Sequence, residues 1–271
     1  MVPHAFDDPP GPGGASRRIR RGYRRRIGEA RTVSLILSDV LGNDPTVIAS
    51  GPTVPREPDP AGALGVLDRY DLRDRVPQAV REHLERGSRS REGIDAGRDI
   101  FRIVGDNATF VDAVRESLER AGLSVSEVWT AREGEAREQA GAWLDALAGA
   151  KTDAIIGGGE LTVTVTGDGT GGRNTELALE AAIELERRGM GATVASLASD
   201  GQDGAVDAAG AVVDGTTVTR LREAGIDPAS ALEANDSGTA LGAIGALVAP
   251  GPTGTNVNDV YIGIRNDRIS E

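Results

Sequence analysis

The chain has 271 residues, 39% hydrophobic but only 3% aromatic, enough for one large domain or two smaller ones around a core of Ala, Val, Leu and Ile. It has no cysteine, which excludes disulfides, thiolate metal sites and a cysteine nucleophile. Asp and Glu number 42 against 30 Lys and Arg, and the net charge of −12 argues against a nucleic-acid partner.

Lys151 is the only lysine, so nearly every basic residue is arginine. An acidic, lysine-poor chain fits either a halophilic proteome, where dissolved ions screen the repulsion, or a GC-rich genome. No apolar run approaches the roughly 20 residues that cross a bilayer. The start, MVPHAFDDPP, lacks the apolar centre of a signal peptide, so a cytoplasmic protein without a membrane partner is expected.

Residues 1–30 combine the breaker cluster PPGPGG with the arginine block RRIRRGYRRR and read as a disordered or remnant tail. TVSLIL (32–37) reads as a buried strand, followed by helices near 61–70 and 76–86 and a buried strand at FRIV (101–104). Asn107 is placed to cap a helix whose Phe110, Val114 and Leu118 form one apolar face, ending before Gly122. SVSEVW (124–129) is a strand and 132–148 a helix that turns Trp143 and Leu147 inward. The β-α-β-α rhythm predicts a parallel sheet covered by helices.

AIIGGGE (154–160) and LTVTVT (161–166) are two strand patterns with almost nothing between them. A parallel crossover needs a dozen or more residues, so the expectation is an antiparallel hairpin. TGDGTGGRNTEL (166–177) follows and opens a helix from about 174 to 188. A buried strand at 192–199, short helices and a last strand, VYIGI, complete the chain.

Gly167, Gly169 and Gly172 fit G-x-G-x-x-G, the spacing of dinucleotide loops. That reading wants a buried parallel strand beforehand and an acidic residue roughly 20 positions later. Here the preceding strand alternates, and Ser199-Asp200 comes late. A plain tight turn is the simplest alternative. Arg173-Asn174 at the helix start favours phosphate instead: Asn174 caps, amide N–H groups attract an anion, and a guanidinium clamps it in a planar grip. Ser38, Asp39, Asn43 and Asp44 lie just past a strand's C-terminal end, where ligands gather in open α/β sheets, or form an ordinary Asx-capped turn. Asp200, Asp203 and Asp207 follow another strand and suit Mg²⁺ held with a substrate phosphate. GPTGTNVND (251–259) is an anion nest or a turn. With only His4 and His83, a histidine triad or histidine metal site is improbable, and no Walker loop is present.

Taken in order, SLILSDVLGNDPTVIASGPT, GGGELTVTVTGDGTGGRNTELALE, SDGQDGAVDAAGAVVDG and GPTGTNVNDV resemble the bacterial and archaeal glycerate 2-kinases over about residues 31–264. That family joins a Rossmann-like domain to a smaller domain named MOFRL. The resemblance implies an α/β fold: a Rossmann-like parallel sheet remnant over 31–150 and a smaller α/β MOFRL-like domain over 151–271. It implies phosphoryl transfer from ATP, with Mg²⁺, to the 2-hydroxyl of D-glycerate. By resemblance Arg173 lies in the active site, and Asp39, Asn43, Asp44, Asp200, Asp203, Thr255 and Asn256 carry over with it.

The site expected on this basis has Arg173 and Asp200 as catalytic residues. Gly157, Gly158, Gly159, Glu160, Gly169, Gly171, Gly172, Asn174, Thr255 and Asn256 surround the nucleotide phosphates. Ser38, Asp39, Asn43 and Asp44 line the substrate cleft, and Asp200 and Asp203 hold Mg²⁺. Family members carry a further N-terminal stretch with a glycine-rich, lysine-bearing segment that is not found here. A truncated kinase, one half of a split enzyme, or a self-associating chain is therefore expected. The alternatives are an NAD(P)H-dependent hydroxypyruvate reductase, the older label of some members, and a non-catalytic fragment or subunit.

Overall fold

The computed structural model of the protein describes residues 31–54, 59–87 and 99–266. The arginine-rich tail therefore lies outside the described residues. Two compact units emerge. One takes in residues up to Leu35 together with Asp44–Arg102, and the other Ile36–Asn43 with Ile103–Glu271. In the first, helices α1 (Pro60–Arg69) and α2 (Gln78–Glu85) pack on each other. Pro60 opens α1 because its missing N–H is no loss there, and the Asp59 carboxylate accepts from the Gly62 N–H at 2.7 Å. Strands β1 (Val33–Leu37) and β2 (Ile100–Gly105) form a two-stranded sheet. The sequence predicts β1 to be buried, but Val33, Leu35 and Leu37 are 58%, 69% and 49% exposed. A hydrophobic run reports what a strand is suited to cover; only its neighbours decide whether it is covered.

The second unit holds a six-stranded sheet in the order β3-β4-β8-β5-β6-β7. The strands are β3 (Val125–Arg132), β4 (Ala154–Gly159), β5 (Ala192–Ala198), β6 (Gly210–Asp214), β7 (Leu247–Val248) and β8 (Asp259–Arg265). Only β3 and β4 pair in parallel; every other neighbouring pair is antiparallel. The parallel β3–β4 pair follows the predicted rhythm, and the sheet as a whole is mixed because the last strand inserts between β4 and β5 and runs against both. β3 is an edge strand of this same sheet, and the helix that follows it packs on the sheet.

The expected 154–166 hairpin does not form. After Gly159 the chain leaves the sheet and runs beside the turn at Gly134–Glu135, just before the helix that precedes β4. Ala136 N–H donates to Thr162 O at 2.9 Å and Thr162 N–H to Gly134 O at 2.8 Å, in a single parallel bridge. Leu161 is buried and Val163 packs partly buried on the larger core, while Val165 is 72% exposed, so only the first two apolar positions of the alternation reach the core.

Helices cover both faces. β4 places Ile155 in the larger core and Ile156 in the smaller, as strand alternation requires. The larger core lies under α4 (Ala136–Gly149) and α5 (Arg173–Arg188), with Trp143, Leu144, Leu177 and Leu185 fully buried. Trp143 sits 4.7 Å from Trp129, centroid to centroid, and Tyr261 meets Trp129 edge-on at 5.7 Å. The smaller core sits under α3 (Asn107–Arg120), where Val111 meets Ile156 and Val260. Asp106 rather than Asn107 caps α3, its carboxylate accepting from Thr109 N–H at 2.9 Å. The short helices α6 (Thr217–Glu223), α7 (Pro228–Glu233) and α8 (Ser237–Ala243) fill the space before β7.

The glycines of β4 exist for close approach. A Cβ on Gly159 would lie 2.1 Å from Arg132 O and 2.4 Å from Arg132 N, both backbone atoms that cannot swing aside. Gly159→Ala should therefore destabilise the protein by about 3 kcal/mol, at the upper end for overpacking. Urea denaturation checks this, and an unchanged midpoint would disprove it.

Candidate active site

Three strand ends meet at one end of the six-stranded sheet. β4 ends at Gly159 and β5 at Ala198, and Asp259, the first residue of β8, is paired with both. The N-terminus of α5 arrives at the same place and delivers Arg173. Its guanidinium forms a fork on Asp259: Nε donates to Oδ2 at 2.6 Å and Nη2 to Oδ1 at 2.9 Å. Asp259 is fully buried, whereas the Arg173 side chain keeps 26% exposure. Nη1 is the nitrogen outside the fork, 3.7 Å from the half-exposed Glu160 carboxylate. Burial lifts the Asp259 carboxyl to about 6, above the ordinary carboxylate range, against the pull of the Arg173 hydrogen bonds and charge. Burial works against the Arg173 charge, but the hydrogen bonds and charge of Asp259, with the charges of Glu160 and Asp203, raise its pKa further still. Both groups are therefore ionised at neutral pH.

The helix terminus itself is already satisfied. Asp203, 1% exposed, reaches across from the 199–209 loop and acts as a remote cap. Its Oδ1 accepts from Asn174 N–H at 2.9 Å, and its Oδ2 accepts from Thr175 N–H and Thr175 Oγ1, each at 2.8 Å. A carboxylate thus occupies the place where the sequence suggests a phosphate, since the same orphan amides and helix dipole attract either anion. Both oxygens of Asp203, expected from sequence to face Mg²⁺, are engaged by the start of the helix. Among the described residues no group of three or more His, Cys, Asp or Glu is placed to hold a metal ion. Asp200 is half-exposed and accepts from Gln202 N–H at 2.9 Å, while its carbonyl accepts from Thr253 N–H.

The glycine loop is held down in the same way. The Asn235 side-chain oxygen accepts from the N–H groups of Thr166 and Gly167, at 2.7 and 2.8 Å. Gly169 N–H donates to Ala234 O and Thr170 N–H to the Asp236 carboxylate, each at 2.8 Å. A Cβ on Gly169 would come within 2.4 Å of Asp236 Cβ, and one on Gly171 within 2.7 Å of Asn235 O. A Cβ on Gly172 would come within 2.4 Å of the Asp203 backbone. These glycines let the loop lie flat on residues 234–237 and on Asp203. Asn235 in turn donates to the buried Glu176 at 2.6 Å, and Glu176 pairs with Arg137 at 2.9 Å. Gly157, Gly158 and Gly159, expected from sequence to lie near phosphate, sit inside the sheet, paired with β3 and β8.

The remaining predicted residues come together through α3 and the loop before β8. Ser38 N–H donates to Gly105 O at 2.9 Å, Asn258 Nδ2 to Asp39 O at 2.8 Å and Asn43 Nδ2 to Asp106 at 2.6 Å. Asn107 Nδ2 donates to the carbonyls of Val257 and Asp259, both at 2.9 Å. The Ser38–Asn43 turn is thereby tied within a few residues of the Arg173–Asp259 fork. Thr255 and Asn256 belong to the same loop; Thr255 N–H donates to Thr253 Oγ1 and Asn256 Oδ1 accepts from Asn258 N–H. Asp44 belongs to the other compact unit, where it accepts from Thr46 N–H and Oγ1.

Residues 153–259 match the MOFRL family and 22–85 a domain of unknown function, DUF4147. The chain is 34% identical over 261 residues to a glycerate 2-kinase of Pyrococcus horikoshii, covering 91% of this chain and 59% of that one. A crystal structure of glycerate kinase from Thermotoga maritima superposes with a TM-score of 0.77 at 37% identity, covering 90% of this chain and 59% of that one. A glycerate kinase of Macaca fascicularis is 31% identical over 292 residues, and the match takes in 74% of its length and 89% of this chain. The chain belongs to the glycerate kinase family. One relative from Agrobacterium vitis, 41% identical over 253 residues, is named a putative hydroxypyruvate reductase. This glycerate kinase family member spans about three fifths of the length of the Pyrococcus and Thermotoga proteins.

Within the MOFRL-matched segment, the sequence singles out Arg173 but not Asp259, the partner it pairs with. Asp259 closes the TGTNVND stretch, and an aspartate that opens a strand was the available signal. Nothing in the linear pattern ties it to residue 173.

Proposed function

We propose that the chain takes part in ATP-dependent phosphorylation of D-glycerate at its 2-hydroxyl, giving 2-phosphoglycerate and ADP. The observation that carries this reading is Arg173: in a chain of the glycerate kinase family, a guanidinium is braced along one side, with Nη1 at the partly exposed side. In the transfer, the 2-hydroxyl oxygen forms a bond to the γ-phosphorus as the bond from that phosphorus to the β,γ-bridging oxygen breaks. The hydroxyl proton leaves to a base, and the bridging oxygen's charge remains on ADP. Arg173 stabilises charge on the transferring group from a fixed position, so no reorganisation is needed as the charge moves.

Magnesium enters this reading as part of the substrate, complexed to ATP. Among the described residues no group of three or more His, Cys, Asp or Glu could hold a resident ion, and Mg²⁺ commonly keeps one or two carboxylates plus phosphate oxygens. Asp200 is the carboxylate proposed to face it. Ser38, Asp39 and Asn43 form the turn proposed to meet D-glycerate, with Thr255 and Asn256 on the phosphate side. The dinucleotide reading is weaker, because the glycine-loop amides it needs are already bonded to Asn235, Ala234 and Asp236.

The test is an assay of the chain with ATP, Mg²⁺ and D-glycerate, following ADP and identifying the phosphorylated carbon by phosphorus NMR. Product at the 2-position is expected. NADH oxidation with hydroxypyruvate and no ADP formation would replace this reading with the reductase.

A further inference from the structure

We propose that Asp259 is a positioning residue, which holds the Arg173 guanidinium by its Nε–Nη2 edge and so leaves Nη1 to the phosphate of a Mg²⁺-complexed nucleotide. This deepens the function proposed above and rests on it for the identity of the nucleotide.

The geometry points to one job. Asp259 is fully buried and makes the only two-point contact to Arg173 among the described residues, with both oxygens on the guanidinium. It is held from three sides. Its backbone is paired with Gly159 and Ala198, and its carbonyl accepts from Asn107 Nδ2. A fully buried carboxylate carried on a backbone fixed this way gives the guanidinium a set position. An arginine free to rotate would lose that advantage, since phosphoryl transfer depends on groups placed to within about 1 Å. A merely structural ion pair of this kind is poor value for stability, because burying Asp259 disfavours its charge. The Nη1 side faces Glu160, exposed enough to yield to an incoming anion.

The groups facing Asp259 are Arg173 and Asn174 from α5, Asp203 from the 199–209 loop and Tyr261 from its own strand; Glu160 reaches it through Arg173. As pH falls through about 6, Asp259 takes a proton, loses its charge and gives up one acceptor of the fork. Nucleotide binding should weaken on that side of neutrality.

The experiment compares wild type, Asp259→Asn, Asp259→Glu and Arg173→Lys. It uses calorimetric titration with Mg·ATP across pH 5–8, steady-state turnover of D-glycerate and thermal melts. The pH range runs from about one unit below the Asp259 value to about two units above it. Asp259→Asn is expected to weaken Mg·ATP binding by about tenfold or more and to lower kcat by up to about a hundredfold. It should lose the acid limb that wild type shows, and comparison at each pH cancels the nucleotide's own titration. Asp259→Glu should restore part of the affinity and bring back an acid limb. Should Asp259→Asn melt early, Arg173→Lys keeps the buried charge pair and should show the same binding loss without the fork.

Wild-type turnover that Asp259→Asn leaves intact overturns the positioning role while leaving the kinase reading standing. Arg173-dependent binding of Mg·ATP that Asp259→Asn abolishes, in a chain that never phosphorylates D-glycerate, upholds the positioning role and removes the kinase reading. Absence of Mg·ATP binding to wild type overturns the positioning role outright.

Discussion

Arg173→Ala is expected to lower kcat for D-glycerate phosphorylation by about 10²–10³-fold, the loss of about 3–4 kcal/mol that follows removal of a single donor aimed at developing charge. The substrate should still bind through the Ser38–Asn43 turn, so KM for D-glycerate should move less than kcat. The substitution also strands Asp259. A buried carboxylate without its partner costs about 3–5 kcal/mol, unless it takes up a proton. Asp259 already sits at about 6, and loss of the guanidinium pushes it higher, so in this variant it becomes neutral near pH 7. Part of the stability loss is thereby avoided, and the kinetic effect can be read on folded protein. Arg173→Lys separates charge from geometry: it keeps a cation but no planar fork, and should recover only a small part of the rate. Steady-state kinetics with melts on the same samples decide the matter. Full activity in Arg173→Ala would remove the central assignment.

Asp203→Ala should destabilise the protein by about 3–5 kcal/mol, and by the same amount in EDTA as in Mg²⁺. The alanine leaves the Asn174 and Thr175 N–H groups without their acceptor in a buried place, and removes an acceptor of the Thr175 hydroxyl. Each buried donor left unpaired costs about 1–3 kcal/mol, and a lost helix cap falls in the same range. Asp203→Asn keeps one carbonyl oxygen in place and should lose roughly half as much. A metal ligand behaves differently, because its removal alters stability only when the ion is bound. Urea denaturation in the two buffers distinguishes these cases. Equal stability of wild type and Asp203→Ala in EDTA would refute the cap, and a deficit confined to Mg²⁺ would return Asp203 to the metal.

The glycine loop shows how the same chemistry can be read two ways. Glycines, an arginine and a helix start do mark a place where amide N–H groups gather, and the structure has such a place at α5. The acceptors that fill it belong to the protein: the Asp203 carboxylate at the helix terminus, with the Asp236 carboxylate and the neutral Asn235 amide oxygen along the loop. An aspartate 30 residues away and a phosphate from solution satisfy the same donors, and no local pattern tells them apart. The hairpin prediction failed for a related reason. Leu161, Thr162 and Val163 have the alternation of a strand, but the edge of β4 that a hairpin would use is taken by β8, whose sequence lies about a hundred residues further on.

What the sequence by itself determined is local. Hydrophobic periodicity placed α4 and α5 and turned Trp143 and Leu147 inward, because a helix must bury its apolar stripe. Ordered motifs identified the family and marked Arg173. Only the tertiary structure decided that β8 lies between β4 and β5, that Asp259 meets Arg173 there, and that Asp203 serves as a cap. Each of these depends on which distant backbone edge or donor is left open once the rest has packed, and that is a property of the assembled core, to which neighbouring residues in the chain carry no signal.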